Sequence, residues 1–288
     1  MARSPRRLQD VRRIAEKHEH DGRLRSCQCT QAQLQSETFQ AWCARLRERP
    51  MRMHRKVWEY CYIAQALQER GMLRPGRRGL GFAVGEEPLS AMFAAFGCEI
   101  VATDLDTDKV DKAMWVDTQQ HAASLEALNR RGICDADAFR QRVTFRFLDM
   151  RELPDGLGTF DFIWSSCSLE HLGTMALGEK FILESLKYLR RGGVAVHTTE
   201  FNARWNFLTL RRGPTVLFRR RDLERIAKRL GQLGYAVDLD FTRGDLPCDK
   251  VVDRPPYSQE PHLKLVLSSR SIHVLTSFGL IIEAPSGD

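Results

Sequence analysis

One stretch of sequence decides the fold: Arg78-Gly79-Leu80-Gly81-Phe82-Ala83-Val84-Gly85-Glu86-Glu87-Pro88-Leu89, followed downstream by Ile100-Val101-Ala102-Thr103-Asp104. The pattern predicts a buried strand, a tight glycine turn, a helix and a second strand that ends on a carboxylate. Gly85 allows the backbone to approach a ligand closely, and the following helix presents free N–H groups to that ligand. Asp104 can accept hydrogen bonds from two ribose hydroxyls. This layout is typical of a site for a nucleoside-bearing cofactor.

The rest of the chain alternates strand and helix, which predicts an open α/β sheet. The first 77 residues carry no strand signal, and residues 57–67 have the spacing of an amphipathic helix that ends at Gly71. Arg190-Arg191-Gly192-Gly193 is expected to stop a helix before the fifth strand. The predicted strands are 79–84, 99–104, 143–148, 160–165 and 194–199, and the apolar runs 263–267 and 272–282 could supply an antiparallel terminal strand. The predicted helices are 88–96, 108–131, 177–189 and 221–233, and a further element covers 235–241.

Length and composition suit one large domain with an appended segment, because the chain has 288 residues of which 43% are hydrophobic. No apolar run approaches the ~20 residues of a membrane span, and the basic N-terminus has no apolar stretch behind it, so no secretory signal is expected. The eight cysteines are scattered, as is usual for reduced thiols, so we expect a cytoplasmic protein. Cys27, Cys29 and Cys43 match no common zinc spacing.

The formal charge of +7 leaves two interpretations open, an anionic partner or ordinary solvated helices. The most basic run, residues 219–230, places Leu223, Ile226 and Leu230 on one face of a helix with the charges on the other. It lacks the interleaved aromatic residues of a nucleic-acid platform. A nucleic-acid partner is therefore not expected.

Four features in this order resemble the class I S-adenosylmethionine-dependent methyltransferases. They are the turn at Gly85, the acid Asp104, Asp149-Met150-Arg151-Glu152-Leu153-Pro154 after the third strand, and Phe160-Asp161-Phe162-Ile163-Trp164-Ser165-Ser166-Cys167-Ser168-Leu169-Glu170-His171-Leu172. The resemblance implies a doubly wound, mostly parallel seven-stranded α/β sheet with helices on both faces. It divides the chain into a helical N-terminal extension, residues 1–77, and a Rossmann-like methyltransferase domain, residues 78–288.

The glycine turn departs from the family pattern. Gly81 stands where the family has an acidic residue, Ala83 stands at the first glycine and Glu87 at the last, so that only Gly85 is retained. Three ways of holding the cofactor's methionine amino group are then open: Glu86, Glu87 or the N-terminal extension.

The cofactor residues follow position by position from the resemblance, which implies S-adenosyl-L-methionine as the cofactor. Gly85, with Ala83 in the same turn, would lie against the methionine-ribose portion, and Asp104 would bind the ribose hydroxyls. Leu105 would pack on the adenine, whose edge would meet the Asp149 carboxylate and the Met150 N–H. Ser165 or Ser166 would face the sulfonium. Asp104 and Asp149 could alternatively be capping residues of the turns that follow them.

Two residues are candidate catalytic groups for an oxygen acceptor. His171 follows the fourth predicted strand at the edge of the sheet where ligands bind, and a neutral imidazole there could remove a proton from a hydroxyl. Glu200, at the exit of the fifth strand, is the second candidate base. No dedicated metal site is predicted, although Glu200 and Asn202 could bind a cation together with Asp245, Asp249, Asp253 or His262.

The sequence therefore predicts an S-adenosylmethionine-dependent methyltransferase that acts at oxygen on a small-molecule or glycan acceptor. Two alternatives stay open. The spacing of Gly79, Gly81 and Gly85 also fits an NAD(P)-binding oxidoreductase, and the reduced glycine content fits a methyltransferase fold that binds a ligand without catalysis.

Overall fold

The computed structural model describes residues 22–106, 125–258 and 260–286. Its centre is a sheet of six strands in the spatial order β4-β3-β2-β5-β6-β8, in which β8 alone runs antiparallel to its neighbour. The strands are β1 (Ser26–Cys27), β2 (Arg78–Phe82), β3 (Glu99–Asp104), β4 (Val143–Phe147), β5 (Phe160–Ser166), β6 (Leu189–Asn202), β7 (Leu239–Asp240) and β8 (Leu275–Glu283).

Helices cover both faces of the sheet, as predicted. In the described residues these are α1 (Gln31–Gln35), α2 (Glu37–Arg45), α3 (Arg55–Glu69), α4 (Leu89–Ala95), α5 (Ala136–Arg142), α6 (Met175–Ser185), α7 (Arg220–Gln232) and α8 (Pro247–Lys250). One apolar cluster joins α3, α4 and α5 to the sheet, and a second joins α6 and α7 to its other face. None of the described helices has the length and apolar character needed to cross a membrane.

The order of the strands identifies the edge of the sheet at which a ligand is expected to bind. The chain moves outward from β2 through β3 to β4, then returns to β5 on the other side of β2. Ligands of open α/β sheets bind at such a reversal, beyond the carboxyl ends of the strands. Asp104 and Ser166 end β3 and β5 at this edge.

Helix α3 approaches the sheet closely at Gly279. The Tyr62 ring lies where a side chain on Gly279 would be, and Trp58 stacks on Tyr62 with ring centroids 4.6 Å apart. Trp58 and Tyr62 are fully buried in α3, and Gly279 is a buried residue of β8 beneath that helix. Residues 22–77, the described part of the N-terminal segment, therefore contribute to the same core as the sheet, while the division of the chain at residue 77 stays a prediction.

Two parts of the sheet differ from the sequence prediction. The main sheet has six strands within the described residues, and segment 235–241 supplies β7, which pairs in parallel with β1 in a separate two-stranded sheet. The expectation of no strand before residue 77 was wrong, because Ser26–Cys27 forms β1. A two-residue strand is too short to produce an alternating pattern.

The segment Leu189–Gly193 was also assigned wrongly. It belongs to β6, whose pairing with β5 shifts register between Phe160 and Phe162, so the glycines lie at an irregularity in a strand. Helix α6 ends earlier, at Ser185, and a 3-10 turn follows at Leu186–Tyr188. A glycine pair marks either a helix end or a bulge, and only the pairing partner distinguishes the two.

The predicted helix 108–131 falls mainly on residues 107–124, which lie outside the described residues. Of its remainder, Glu126–Asn129 forms a 3-10 turn. Helix α5 was missed, although its N-cap is readable: the Asp135 carboxylate accepts from the backbone N–H groups of Asp137 and Ala138. Helices α4 and α7 and strand β8 were predicted to within a few residues.

The contact between Gly279 and Tyr62 gives a test of the helix-on-sheet packing. Gly279→Ala should lower the free energy of unfolding by about 1–3 kcal/mol, because the added methyl group overlaps the buried ring. Gly231→Ala is the matched control: Gly231 lies in α7 with no atom near its added methyl group, so that change should be neutral or stabilise the protein by up to ~1 kcal/mol. Equal denaturation midpoints for wild type and Gly279→Ala would contradict the packing.

Candidate functional site

The turn after β2 is fastened to the end of β3. Ala83 and Gly85 both have positive φ, 47° and 50°. The Gly85 N–H donates to Asp104 Oδ2 at 3.1 Å, and the Val84 N–H donates to the Thr103 carbonyl at 3.0 Å. These bonds hold the backbone of the turn against the sheet edge.

Asp104 is oriented from both sides. Its carboxylate is 3% exposed, and Oδ1 accepts from the Leu105 N–H at 2.8 Å while Oδ2 accepts from Gly85. A carboxylate offers about four acceptor positions, so this orientation is compatible with accepting hydroxyls of a ribose. The structure thus brings Gly85 and Asp104 together, as predicted.

Asp149 lies beyond β4 in a tight turn. Its carboxylate accepts from the Arg151 backbone at 2.8 Å and from the Arg151 guanidinium at 2.6 Å. Met150 is buried beside it, and Leu105 is half-buried at the end of β3. The capping role considered from the sequence is therefore present, and contact of Asp149, Met150 and Leu105 with an adenine stays a prediction.

The two serines at the end of β5 point to opposite faces, because side chains alternate along a strand. Ser165 Oγ lies 2.8 Å from His197 Nδ1 in the core, and both residues are fully buried. Ser166 Oγ donates to Glu59 Oε2 at 3.2 Å. The Ser166 side chain is therefore able to contact a ligand at the sheet edge. The Ser165 side chain points into the core, so the predicted contact of Ser165 with the cofactor would have to be made by its backbone.

A charge cluster of two buried carboxylates and two half-buried cations lies beside Ser166. Arg55, from α3, contacts Glu59 Oε1 at 3.2 Å and Glu200 Oε1 at 2.7 Å. Lys56 contacts Glu59 Oε2 at 3.0 Å, and Ser277 donates to Glu59 as well. Burial raises the pKa of Glu59, but Lys56 and Arg55 outweigh it and lower that pKa to about 2. Glu59 is thus an ionised carboxylate with 0% exposure.

Among the described residues, Glu170 and Glu200 each have a buried oxygen without a hydrogen-bond partner. These are Glu170 Oε1 and Glu200 Oε2. Burial raises the pKa of Glu200, and it raises the pKa of Glu170 to about 7. Thr199 donates to the other oxygen of Glu170 at 3.1 Å. Unpartnered buried carboxylate oxygens are costly, which indicates a place for a ligand.

The tautomer of His171 follows from its contacts. Nδ1 lies 2.8 Å from the Pro214 carbonyl, which can only accept, so Nδ1 carries the proton and Nε2 carries the lone pair. Nε2 lies 3.9 Å from Glu170 Oε1. Burial lowers the pKa of His171, so the ring is neutral at neutral pH. The structure therefore brings His171 and Glu200 to one site through Glu170.

The metal-binding alternative gains little from the geometry. Asp253 binds His262 at 2.6 Å, and Asp249 accepts from the Gln31 backbone at 2.8 Å. In the part of the chain that the structure describes, the three residues whose ligand atoms lie close enough together for one ion are Cys167, Glu170 and Glu200. The Arg55 guanidinium already lies 2.7 Å from Glu200 and 3.7 Å from Cys167 Sγ, so it supplies positive charge there. Cys43 lies against Cys61, with 3.7 Å between the sulfurs.

Sequence analysis missed three residues of this site, Arg55, Lys56 and Glu59. A readable signal was present: Glu59 interrupts the apolar face of α3 and has cations three and four residues before it. A carboxylate on a buried helix face is rarely tolerated without such partners.

The comparisons with known proteins now bear on this arrangement. Residues 80–197, which run from β2 into β6, match a family model described as "Methyltransferase domain". This region is a class I S-adenosylmethionine-dependent methyltransferase domain. The cofactor of this methyltransferase is S-adenosylmethionine, and the oriented Asp104 carboxylate beside the Gly85 turn fits its ribose. A comparison with curated protein sequences found no match.

Solved structures similar to this methyltransferase have low sequence identity to it. Magnesium protoporphyrin IX methyltransferase from Synechocystis PCC 6803 is 14% identical, with 79% of this chain and 82% of that chain covered and a TM-score of 0.47. A methyltransferase from Clostridium acetobutylicum ATCC 824 is 12% identical over 79% of this chain and 91% of that chain, with a TM-score of 0.45. The glycopeptide N-methyltransferase MtfA is 14% identical over 79% and 90%, with a TM-score of 0.46.

Cofactor binding to this methyltransferase should depend on Asp104. Asp104→Ala should weaken the affinity for S-adenosylhomocysteine by about 1.5–3 kcal/mol in calorimetry, because the ribose hydroxyls lose a charged acceptor. Asp137→Ala removes an 85% exposed carboxylate on α5 and should leave the affinity unchanged. If folded Asp104→Ala protein bound as tightly as the control, Asp104 would not be a cofactor ligand.

Proposed function

We propose that this methyltransferase transfers a methyl group to a hydroxyl oxygen of a small-molecule or glycan acceptor, with His171 as the general base. The observation that carries the proposal is the position of His171, whose Nε2 lies 3.9 Å from the buried Glu170 carboxyl in the 3-10 turn after β5. A hydroxyl acceptor must lose a proton as the methyl group arrives, and a positioned neutral imidazole can take it.

The protein's own residues chiefly supply position. S-adenosylmethionine, when bound, provides the activated methyl group and its leaving thioether. Asp104 would hold the ribose, and the turn at Ala83 and Gly85 would lie along the chain that joins the ribose to the methionine. Ser166, at the mouth of β5, would border the reacting centre. Holding acceptor and donor in line accounts for most of the rate enhancement in such a transfer.

Glu200 is proposed to orient the acceptor. Its Oε1 is fixed by Arg55 at 2.7 Å, which leaves Oε2 as a directed hydrogen-bond acceptor. An acceptor hydroxyl that donates to Oε2 would be held next to Glu170 and His171. Trp205 and the loop residues 244–261 are proposed to complete the acceptor site.

The cysteines are free thiols, which supports a cytoplasmic location.

A second candidate is an amine acceptor. Within the described part of the chain, Glu59, Glu170 and Glu200 face two cations, Arg55 and Lys56, so this cluster has one excess negative charge when all its groups are ionised. An ammonium group would balance that charge and could bind the unpartnered oxygens of Glu170 and Glu200.

Product analysis decides between the two acceptors. The full-length protein would be incubated with methyl-deuterated S-adenosylmethionine and a glycan and small-molecule extract of its source, and labelled products would be located by mass spectrometry and assigned by NMR. Label on oxygen supports the proposal. Label on nitrogen contradicts the oxygen assignment and supports the amine, and no label beyond that of boiled enzyme would contradict both.

The role of His171 predicts a specific loss. His171→Asn should keep the affinity for S-adenosylhomocysteine but lower kcat by about 10²–10⁴-fold, the range for a positioned base. In wild type the rate should fall as pH falls below the pKa of His171, since a protonated ring cannot take a proton. That pKa is lowered by burial, which outweighs the opposing effects of the Pro214 carbonyl and of Glu200, while Lys56 and Arg55 lower the pKa further.

Glu170 is the other group at this site that could act as the base, and Glu170→Gln is the variant to compare with His171→Asn because it keeps the shape of the side chain. Burial raises the pKa of Glu170 to about 7, so a rate limb near neutral pH that persists in His171→Asn and vanishes in Glu170→Gln would move the base from His171 to Glu170. Near-normal turnover of His171→Asn would likewise remove His171 from this role.

A further inference from the structure

The family's strand-one acid is absent here for a steric reason. Gly81 lies opposite Trp164 in the pairing of β2 with β5. A Cβ on Gly81 would overlap the indole ring and crowd Val84. Trp164 is itself fully buried and packs edge-on against Phe93, with ring centroids 5.0 Å apart. No acidic side chain can therefore stand at position 81 while Trp164 holds this place.

The same indole positions another carboxyl. Trp164 Nε1 donates to Glu87 Oε1 at 2.7 Å, and Glu87 is 6% exposed. Glu87 stands at the end of the cofactor turn, two residues after Gly85, where the Glu87 N–H donates to the Val84 carbonyl at 3.1 Å. A bond from one neutral N–H leaves most of the acceptor capacity of a carboxyl group unused.

We propose that Glu87 binds the ammonium group of the cofactor's methionine portion, in place of the strand-one acid. The methionine portion has to run from the ribose, at Asp104, toward the acceptor site at Glu170 and Glu200. Glu87 follows Gly85 by two residues, and the Gly85 N–H donates to Asp104 Oδ2 at 3.1 Å. The turn that carries Glu87 is thus fixed to the residue that would hold the ribose.

The neighbouring glutamate is the rival for this role. Glu86 forms an ion pair with Arg130 at 2.7 Å, and Arg130 is 68% exposed. Glu86 is therefore neutralised at the rim of the turn, whereas Glu87 is bonded to a neutral donor within it. A buried carboxyl without a cationic hydrogen-bond partner gains most from a ligand ammonium.

Binding through Glu87 has a proton signature. Burial raises the pKa of Glu87 to about 8, with Asp104 and Glu59 acting in the same direction and Lys56 and Trp164 opposing them. Tyr60 also faces Glu87 from α3. At pH 7 the carboxyl is therefore mostly protonated, and an ammonium ligand favours the carboxylate, so binding releases the proton to the buffer. Affinity should rise with pH toward about 8 and level off above it, because the proton no longer has to be displaced.

Two ligands separate this role from others. S-adenosylhomocysteine carries the ammonium group, whereas 5′-methylthioadenosine has the same nucleoside without the amino-acid portion. Calorimetry of the full chain at pH 7, in buffers of different ionisation enthalpy, should show release of nearly one proton with S-adenosylhomocysteine and none with 5′-methylthioadenosine. Equal proton release for the two ligands would overturn the proposal in the wild-type protein, with no variant required.

Glu87→Gln is the variant to compare, since it keeps the shape and the acceptor for Trp164. It should weaken S-adenosylhomocysteine by about 10- to 100-fold, change 5′-methylthioadenosine less than about twofold, and abolish the difference in proton release. Glu86→Gln is the matched control and should leave both affinities unchanged. Equal losses for both ligands would show that Glu87 only shapes the turn, and a loss confined to Glu86→Gln would assign the ammonium to Glu86. These measurements need no acceptor, so they are independent of the proposed oxygen transfer.

Discussion

The Arg55 guanidinium, which is 13% exposed and lies between the buried carboxylates of Glu59 and Glu200, is the contact on which the rest of the site depends. It joins α3 to the end of β6, and Ser277 of β8 bonds to the same group at 3.2 Å. Removing one partner of such a buried pair strands the other charge, which typically costs 3–5 kcal/mol. Helix α3 is therefore bound to the ligand edge of the sheet by electrostatics as well as by the apolar contact at Tyr62.

This arrangement divides the ligand edge into two parts with different chemistry. Near β2 and β3, backbone N–H groups orient Asp104, the carboxylate that we propose binds the ribose hydroxyls. Near β5 and β6, charges of α3 meet Glu170 and Glu200, each of which has a buried oxygen without a hydrogen-bond partner among the described residues. Ser166 lies between the two parts, bonded to Glu59. A cofactor and its acceptor can thus be held by separate groups and meet at the end of β5.

The sequence predicted the elements that depend on local pattern. Strand β3 was bounded correctly, and the glycine turn and Asp104 were placed at the right edge, because strand ends and tight turns are written in neighbouring residues. The charge cluster could not be read in this way. Glu59 lies 107 residues from Ser166 and 218 from Ser277, so only the folded sheet brings them together. Likewise, the sequence around Asp149 is compatible both with a cofactor ligand and with a capping residue, and its hydrogen bond to Arg151 depends on the geometry of the turn.

Trp164 makes the glycine turn a unit of three positions. The indole excludes any side chain from Gly81 and at the same time holds Glu87. Introducing an aspartate at 81 alone would create an overlap, and shrinking Trp164 alone would leave Glu87 without its donor. An evolutionary path between this turn and the usual glycine-rich one therefore crosses a poorly packed or poorly bonded intermediate. Sequences that share this turn should vary at the three positions together, so their relationship is better traced by the triplet than by counting glycines.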